Sequence, residues 1–280
     1  MAKLIHNSYG KGRVRLAKVT REGGWQTYKQ YTVQITLEGG QEIAFTQADN
    51  SPVLPTDTMK NSVYALASQH SMESVEGFAA DLTAHFLQTA PHLTQASVFI
   101  EEHAWRRMTF GQEEHPHAFI GGHTEKRTAA VTRTSETVEV ESGLADLIVL
   151  KTAESAFVGF YKDAYTILPE ERDRLMGTNI TARWKYNSSA ADFNTIWQLV
   201  RQELLDIFAH HDSESVQHTL YGMGTAVLDT VPEIAEISLS MPNIHNIPFD
   251  LSKLGLKNNN EIFVPIDEPH GTIEGTITRE

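Results

Sequence analysis

Alternating apolar and polar residues predict a pair of strands near the start of the chain. Val14 and Leu16 alternate with polar or small neighbours, and residues 31–37 alternate more strongly with β-branched and aromatic side chains. A period of two with such residues is typical of a strand that buries one face. Gly23-Gly24 separates the two runs and predicts a hairpin connection. We expect a third strand at residues 41–46, after another pair of glycines.

Two helices and a strand follow in the first half. Thr56-Asp57-Thr58 offers capping side chains, and the apolar residues between 63 and 67 then recur at helical spacing. A second apolar stripe begins near Ser71 and stops before Pro91, which predicts a second helix. Residues 96–102 return to the β-branched pattern of a strand.

The second half shows a similar succession of patterns. Its predicted elements are, in order, strands at 145–150, 157–161 and 180–186, helices at 193–208 and 213–228, and a strand at 236–241. The second of these helices stops before Pro232. Segments 103–140 and 241–280 show weaker patterns, although residues 126–139 suit an exposed or edge strand.

A weak internal repeat relates the two halves. Pro91 and Pro232 each follow a predicted helix, and Ser97 and Ser238 each lie in the next predicted strand; both pairs are 141 residues apart. Half of the 280-residue chain is 140 residues. We therefore predict two similar α+β units, at 1–140 and 141–280.

Composition excludes several kinds of protein. The absence of cysteine removes disulfides, thiolate zinc sites and cysteine nucleophiles. With 23 Lys and Arg against 36 Asp and Glu, the net charge of −13 argues against binding to nucleic acid. No apolar run approaches the length of a membrane span, and no secretory signal is visible. We expect a soluble cytoplasmic protein.

Generic motif searches give little. The chain has no Gly-x-Gly-x-x-Gly, no P-loop, no His-Glu-x-x-His and no Gly-x-Ser-x-Gly. His103, His115, His117 and His123 fall within 21 residues, and imidazole is a common metal ligand. Their spacing matches no diagnostic metal motif, so we favour surface or hydrogen-bonded histidines.

One segment is more informative. Residues 147–174 form an apolar strand ending in lysine, followed by aromatic residues, a leucine and an arginine. This segment resembles the signature of the urate oxidase (uricase) family, of the bacterial type. The matching residues are Lys151, Phe157, Phe160, Tyr165, Leu168 and Arg174. Ala153 departs from the hydroxyl residue usual in that family.

Four further landmarks of the same family occur in order. They are Tyr9-Gly10-Lys11, the region from Asp49 to Asn61 with Thr56-Asp57, Ser215-Val216-Gln217, and the run from Met241 to His245. Each residue alone has an ordinary structural explanation, such as core packing, helix capping or a surface charge. The ordered set spans residues 9–245 and favours the family instead.

The resemblance implies a fold and a reaction. The implied fold is α+β, with tandem tunnelling-fold (T-fold) units in which helices pack on one face of an antiparallel sheet. In that family, chains form a homotetramer around a β-barrel, and active sites lie between subunits. The enzymes oxidise urate with O2 to 5-hydroxyisourate and H2O2, and the resemblance implies no metal and no organic cofactor.

The resemblance also implies a role for each matched residue. Phe157 would stack on the flat urate ring, Leu168 and Val216 would line an apolar wall, and Arg174 and Gln217 would hydrogen-bond to its two edges. Asp57 belongs to the implied substrate set. Thr56 and Asn243 would hold O2 or water, and Lys11, Thr56 and His245 would relay protons. Such a relay works near neutral pH only if burial leaves the lysine partly deprotonated.

Two other functions remain open at this point. A pterin-type T-fold enzyme often uses zinc held by cysteine and histidine, and the absence of cysteine disfavours it. A non-catalytic oligomer that binds purines or pterins is the second alternative. The complete set Lys11, Thr56 and His245 argues against lost catalysis.

Overall fold

The computed structural model describes residues 2–266 and 268–279. The chain forms two compact units. The first contains the residues up to Gly143 together with Lys185–Asn194, and the second contains Leu144–Trp184 together with the chain from Thr195 onward. No helix in the described part of the chain is long and apolar enough to cross a membrane.

A long hairpin opens the first unit. Strands β1 (Ser8–Glu22) and β2 (Trp25–Glu38) are antiparallel, and Glu22 faces Trp25 across the turn. Gly23 and Gly24 have φ angles of 54° and 90°, which glycine adopts without the steric cost of a Cβ. The predicted two-residue hairpin is confirmed.

The third predicted strand is wrong, because residues 41–46 turn into a short helix. Helix α1 spans Glu42–Thr46. The preceding strand β2 already pairs with β1 on one side and with β3 (Gln95–His103) on the other. No free edge of β2 therefore remains for another strand, and the segment satisfies its backbone groups locally instead.

Helices α2 (Thr56–Gln69) and α3 (Val75–Thr89) pack beside this sheet. The second helix begins at Val75 rather than near Ser71, because the Ser74 hydroxyl accepts a hydrogen bond from the Gly77 N–H and caps the helix there. The largest buried side chains of α3 contribute to the core of the first unit; they are Phe78, Leu82 and Phe86.

The remaining strands of the first unit overturn one expectation. Strand β6 (Lys126–Thr134) lies between β3 and β7 (Val138–Lys151), so residues 126–139 do not form an edge strand. Ala129 and Val131 are buried accordingly. Strands β4 (Arg106–Phe110) and β5 (Glu113–Ile120) pair as a separate antiparallel hairpin.

The second unit repeats the order of two strands, two helices and a strand. Its elements are the second part of β7, β8 (Met176–Tyr186), α4 (Phe193–His210), α5 (Val216–Thr230), β9 (Ile234–Ser240), β10 (Asn243–Pro248), β11 (Phe263–Ile266) and β12 (Glu274–Thr278). The strands follow the order β7, β8, β10 and β11, while β9 pairs with β8 and β12. The pairs with a defined register are antiparallel, which confirms the predicted α+β fold.

Candidate active site

A cavity of about 650 Å³ lies in the second unit. Five residues of the predicted site line it, although they come from three distant parts of the chain. They are Leu168, Arg174, Val216, Asn243 and His245. The cavity thus brings together a cation, an amide, an imidazole and apolar side chains.

Residues 157–161 do not form the predicted strand. Phe157 instead makes a single two-way backbone bridge, donating to Glu171 at 2.7 Å and accepting from it at 3.2 Å. Gly159, with a φ of 70°, turns the chain just after it. The Arg174 N–H also donates to the Ser155 carbonyl at 2.8 Å, so the backbone holds Phe157 and Arg174 side by side.

The same segment is tied to the start of α5. The Ala156 N–H donates to the Ser213 carbonyl at 2.6 Å. Ser213 is fully buried, and its hydroxyl accepts from Thr219 Oγ1 at 2.7 Å. Its hydroxyl also donates to the Ser215 carbonyl at 3.1 Å. These bonds fix the first turn of α5, which carries Val216 into the cavity wall.

Arg174 has an unsatisfied donor. Its Nε is buried and has no hydrogen-bond partner among residues 2–266 and 268–279. Burial lowers the pKa of Arg174, and the nearby Glu171 carboxylate opposes that shift. A desolvated guanidinium with a free donor is suited to bind an anion, because an anion restores both the charge pairing and the hydrogen bond.

An aromatic pair lies beside this guanidinium. The Arg174 Cζ is 5.3 Å from the centroid of the Phe157 ring, and Phe157 stacks on Phe160 at 4.8 Å with an interplanar angle of 15°. Lys162 Nζ lies over the Phe160 ring at 5.3 Å and forms an ion pair with Glu170. The Phe157–Phe160 pair therefore places an aromatic surface next to the Arg174 guanidinium.

The other predicted residues of the second unit lie on α5 and β10. Gln217 is exposed in the first turn of α5, directly after the buried Val216. Asn243 and His245 are two apart on β10 and so face the same side of that strand. Their backbones pair with Thr178 and Ile266, respectively.

Three predicted residues lie in the first unit: Lys11, Thr56 and Asp57. Lys11 stands at a β-bulge in β1 and is half-buried, while Thr56 is the exposed first residue of α2. A bulge re-aims the neighbouring side chain. The Tyr9 hydroxyl accepts from the Leu54 N–H at 2.9 Å and so connects β1 to the loop before Thr56.

Electrostatics link two of these residues, Asp57 and Lys11. The pKa of Asp57 is lowered chiefly by its hydrogen bond from Lys60, then by Asn61, with a smaller contribution from the Lys11 ammonium. Gly10, which precedes Lys11, allows the close approach of β2, since a Cβ there would lie 1.9 Å from the Ile35 carbonyl oxygen.

The structure adds cavity residues that the sequence analysis did not identify. Ile247, Phe263 and Ile266 form apolar wall from a segment that had no assigned pattern. Ser213 and Thr219 do not line the cavity, but the hydrogen bond between their hydroxyls holds the first turn of α5. No spacing in the sequence signals these contacts, because they join residues whose proximity depends on the fold.

The histidines of the first unit do not form a metal cluster. His103 Nε2 lies 2.8 Å from Thr32 Oγ1, His115 and His117 pack ring against ring, and His123 accepts from Arg106. Across the described part of the chain, no group of three or more histidine, aspartate or glutamate residues has the arrangement of a metal site.

Comparison with known proteins gives one family. A uricase family model matches residues 7–132 and 140–274. The chain is 38% identical to the uricase of Oryctolagus cuniculus over 287 residues, covering 99% of this chain and 95% of that protein. It is 40% identical to the uricase of Arthrobacter globiformis over 277 residues, covering 99% of this chain and 90% of that protein.

Structural comparison gives the same result. The crystal structure of the uricase from Arthrobacter globiformis matches with a TM-score of 0.95 and 39% identity, covering 100% of this chain and 96% of that chain. Sequence similarity and three-dimensional similarity therefore extend over the same length.

Proposed function

Because the chain belongs to the uricase family and is thus an oxidoreductase acting on urate, we propose that it converts urate, O2 and water into 5-hydroxyisourate and H2O2. Urate supplies two electrons to O2, and a water oxygen becomes the new hydroxyl group. No metal or organic cofactor takes part in this proposal, so the electrons pass from the substrate to O2 directly.

One observation supports the proposal most: the free Nε of Arg174 in a cavity that Asn243 and His245 also line. Urate is a planar anion, and its carbonyl and ring nitrogen offer two acceptors along one edge. A guanidinium is planar and donates two parallel hydrogen bonds to such an edge. At physiological ionic strength, charges beyond roughly 8 Å are screened, so Arg174 outweighs the net negative charge of the chain.

The remaining substrate contacts follow from shape. Phe157 offers a flat apolar face for the ring, and Leu168 and Val216 complete an apolar wall. Gln217 carries both a donor and an acceptor, which suits the second lactam edge of urate. Asp57 belongs to the same proposed substrate set, with Thr56 beside it.

Proton transfer and oxygen placement fall to a second group. We assign Lys11, Thr56 and His245 to a proton relay, because a hydroxyl can donate and accept at once while an amine and an imidazole exchange protons. Thr56 and Asn243 hold O2 or water above the ring plane. Removing a proton from urate raises its electron density and favours electron transfer to O2.

The proposed assembly is a homotetramer with active sites between subunits. Lys11 and Thr56 would come from one chain and Phe157, Arg174, Gln217, Asn243 and His245 from another. The paired strands would continue into a barrel, which leaves no exposed strand edge. We also propose a cytoplasmic location for this assembly.

Oxygen uptake tests the reaction directly. Urate added to chelator-treated protein should consume one O2 for each urate, and later addition of catalase should return half of that oxygen from H2O2. No oxygen uptake would contradict the proposed reaction. Uptake that requires re-added metal would contradict its independence from a cofactor.

A further inference from the structure

The first unit contains a sequence that differs in one residue from the three residues at the start of α5. Ser74-Val75-Glu76 lies 141 residues before Ser215-Val216-Gln217, the same offset as between the proline and serine pairs of the internal repeat. Both serines cap their helices, accepting from the Gly77 N–H at 3.0 Å and from the His218 N–H at 3.1 Å. Glu76 therefore occupies in α3 the position of Gln217 in α5.

Strand register extends this correspondence. Ser97 faces Thr132 in the β3–β6 pair, and Ser238 faces Thr276 in the β9–β12 pair. Five residues after Ser97 and five residues before Thr132, Glu102 faces Arg127 in the first unit. At the same step in the second unit, the Asn243 N–H donates to the Gly271 carbonyl at 3.0 Å. Glu102 thus corresponds to Asn243 and Arg127 to Gly271.

In the first unit, side chains of the unit itself contact Glu76, the residue that corresponds to Gln217. Glu76 is fully buried, and its Oε2 accepts from Arg127 Nη2 at 2.7 Å. Its Oε1 accepts from the Ser142 hydroxyl, which in turn accepts from the Tyr186 hydroxyl at 2.7 Å. Arg127 Nη1 donates to Asn194 Oδ1 at 2.8 Å. The guanidinium is therefore held on both sides.

The second unit is open at the same place. Gln217 is exposed, and Gly271 has no side chain to occupy the space that Arg127 fills in the first unit. A Cβ at Gly271 would lie 3.3 Å from Asn243 Nδ2, so a side chain there would crowd the amide that lines the cavity. The pair of glutamine and glycine leaves room for a ligand.

The charges of the two positions match different ligands. In the first unit, Glu76 and Glu102 lie near Arg127 and Lys29, two carboxylates with two cations. In the second unit, Gln217 and Asn243 stand in the place of the two glutamates and carry no charge. A carboxylate binds planar N–H donors such as guanidinium, whereas an amide pairs with a neutral lactam edge.

We propose that the first unit retains the ligand-binding geometry of the second, and that the Arg127 guanidinium occupies it as an internal ligand. Removal of this side chain then exposes a site for small planar cations of the guanidinium and amidine class, anchored by Glu76. The comparison of the two units rests on the proposed ligand contacts of Gln217 and Asn243, but its test does not involve the urate reaction, since its ligand, site and readout are all different.

Chemical rescue tests the proposal. The Arg127→Gly variant, which copies Gly271, should melt at a lower temperature than the unsubstituted protein. Millimolar methylguanidinium should raise its melting temperature along a saturable curve, by about 2–4 °C at tenfold excess over Kd. Methylammonium, a cation without the planar fork, should not. The unsubstituted protein should show no rise with either.

Matched variants separate site binding from general effects of the salt. Arg133→Gly lies on the same strand and loses a hydrogen bond from Nε to Thr83 Oγ1, and methylguanidinium should not rescue it. The double variant Glu76→Gln with Arg127→Gly lacks the anchoring carboxylate and should also show no rescue. If Arg127→Gly is recovered unfolded, its refolding yield with and without methylguanidinium gives the same comparison. Absence of a saturable effect, or an equal effect in either control, overturns the proposal.

Discussion

The two units use one scaffold in opposite ways. Each has a helix capped by a serine. Two residues after that serine stands Glu76 in the first unit and Gln217 in the second. In the first, an arginine from the neighbouring strand pairs with the buried carboxylate. In the second, Gly271 stands at the strand position, and Asn243, whose N–H donates to the Gly271 carbonyl, lines a cavity. A few side chains thus decide whether the same backbone closes on itself or is open to a ligand.

Breaking the internal pair should have the largest effect on stability. Arg127→Met leaves the fully buried Glu76 carboxylate without its cation, which should cost about 3–5 kcal/mol of unfolding free energy. The double variant Glu76→Gln with Arg127→Met removes both charges and should recover much of that loss. Chemical denaturation of the single and double variants measures the difference. A double variant no more stable than the single one would contradict the pairing.

A substitution in the candidate site of the second unit should weaken urate binding rather than lower the stability of the protein. Arg174→Ala removes the two charge-assisted hydrogen bonds that we propose to urate, each worth about 1.5–3 kcal/mol, so kcat/KM should fall at least about 100-fold. Most of the loss should appear as a higher KM. The exposed neighbour Arg172→Ala is the matched control and should keep near-normal kinetics. Unchanged saturation by urate in Arg174→Ala would refute the proposed contact.

A smaller effect should follow from loosening the first turn of α5. Thr219→Val removes the hydroxyl that donates to Ser213, at a cost of about 0.5–1.5 kcal/mol. The turn that carries Val216 and Gln217 then moves more freely, so KM should rise about 3–10-fold while kcat changes little. Thr219→Ser keeps the hydroxyl and should restore KM. A fall in kcat alone would point to a different role.

The smallest predicted effect concerns the pH dependence of stability that Glu102 causes in the first unit. Burial raises the pKa of Glu102, while Lys29 and Arg127 oppose the shift. A carboxyl whose folded pKa lies above its unfolded pKa binds more protons when folded, so its stabilising contribution is lost as pH rises through the folded pKa. Glu102→Gln should therefore gain stability relative to the parent protein as pH rises from about 4 to 7. Denaturation across that range, with Glu101→Gln as control, measures this.

Local periodicity predicted much of the fold, but not the segments whose structure depends on neighbours. Helix α4 was predictable because Ile196, Val200, Leu204 and Phe208 are spaced four apart and all face the core. Residues 41–46 and 157–161 have the composition of strands, yet neither finds a strand partner along its length. Pairing partners are a property of the whole sheet, which short patterns do not encode.

The candidate site was predictable only through the resemblance of separated motifs. Leu168, Arg174, Val216, Asn243 and His245 line one cavity, but no local pattern links segments so far apart in sequence. Their roles, the homotetramer and the division at 140/141 stay predictions. For the pair of Glu76 and Arg127, the sequence contains a signal for the glutamate alone, since the 141-residue offset relates Glu76 to Gln217. Its arginine came from a strand whose register only the structure gives.

A structure with a bound urate analogue that O2 does not oxidise tests the contrast between the two units most directly. One analogue should bind per chain against the second unit, with Arg174 nitrogens and the Gln217 amide within hydrogen-bond distance of opposite edges of the ligand. Glu76 should remain paired with Arg127, with no ligand beside them. An analogue that leaves Arg174 and Gln217 untouched, or one that displaces Arg127 from Glu76, would contradict it.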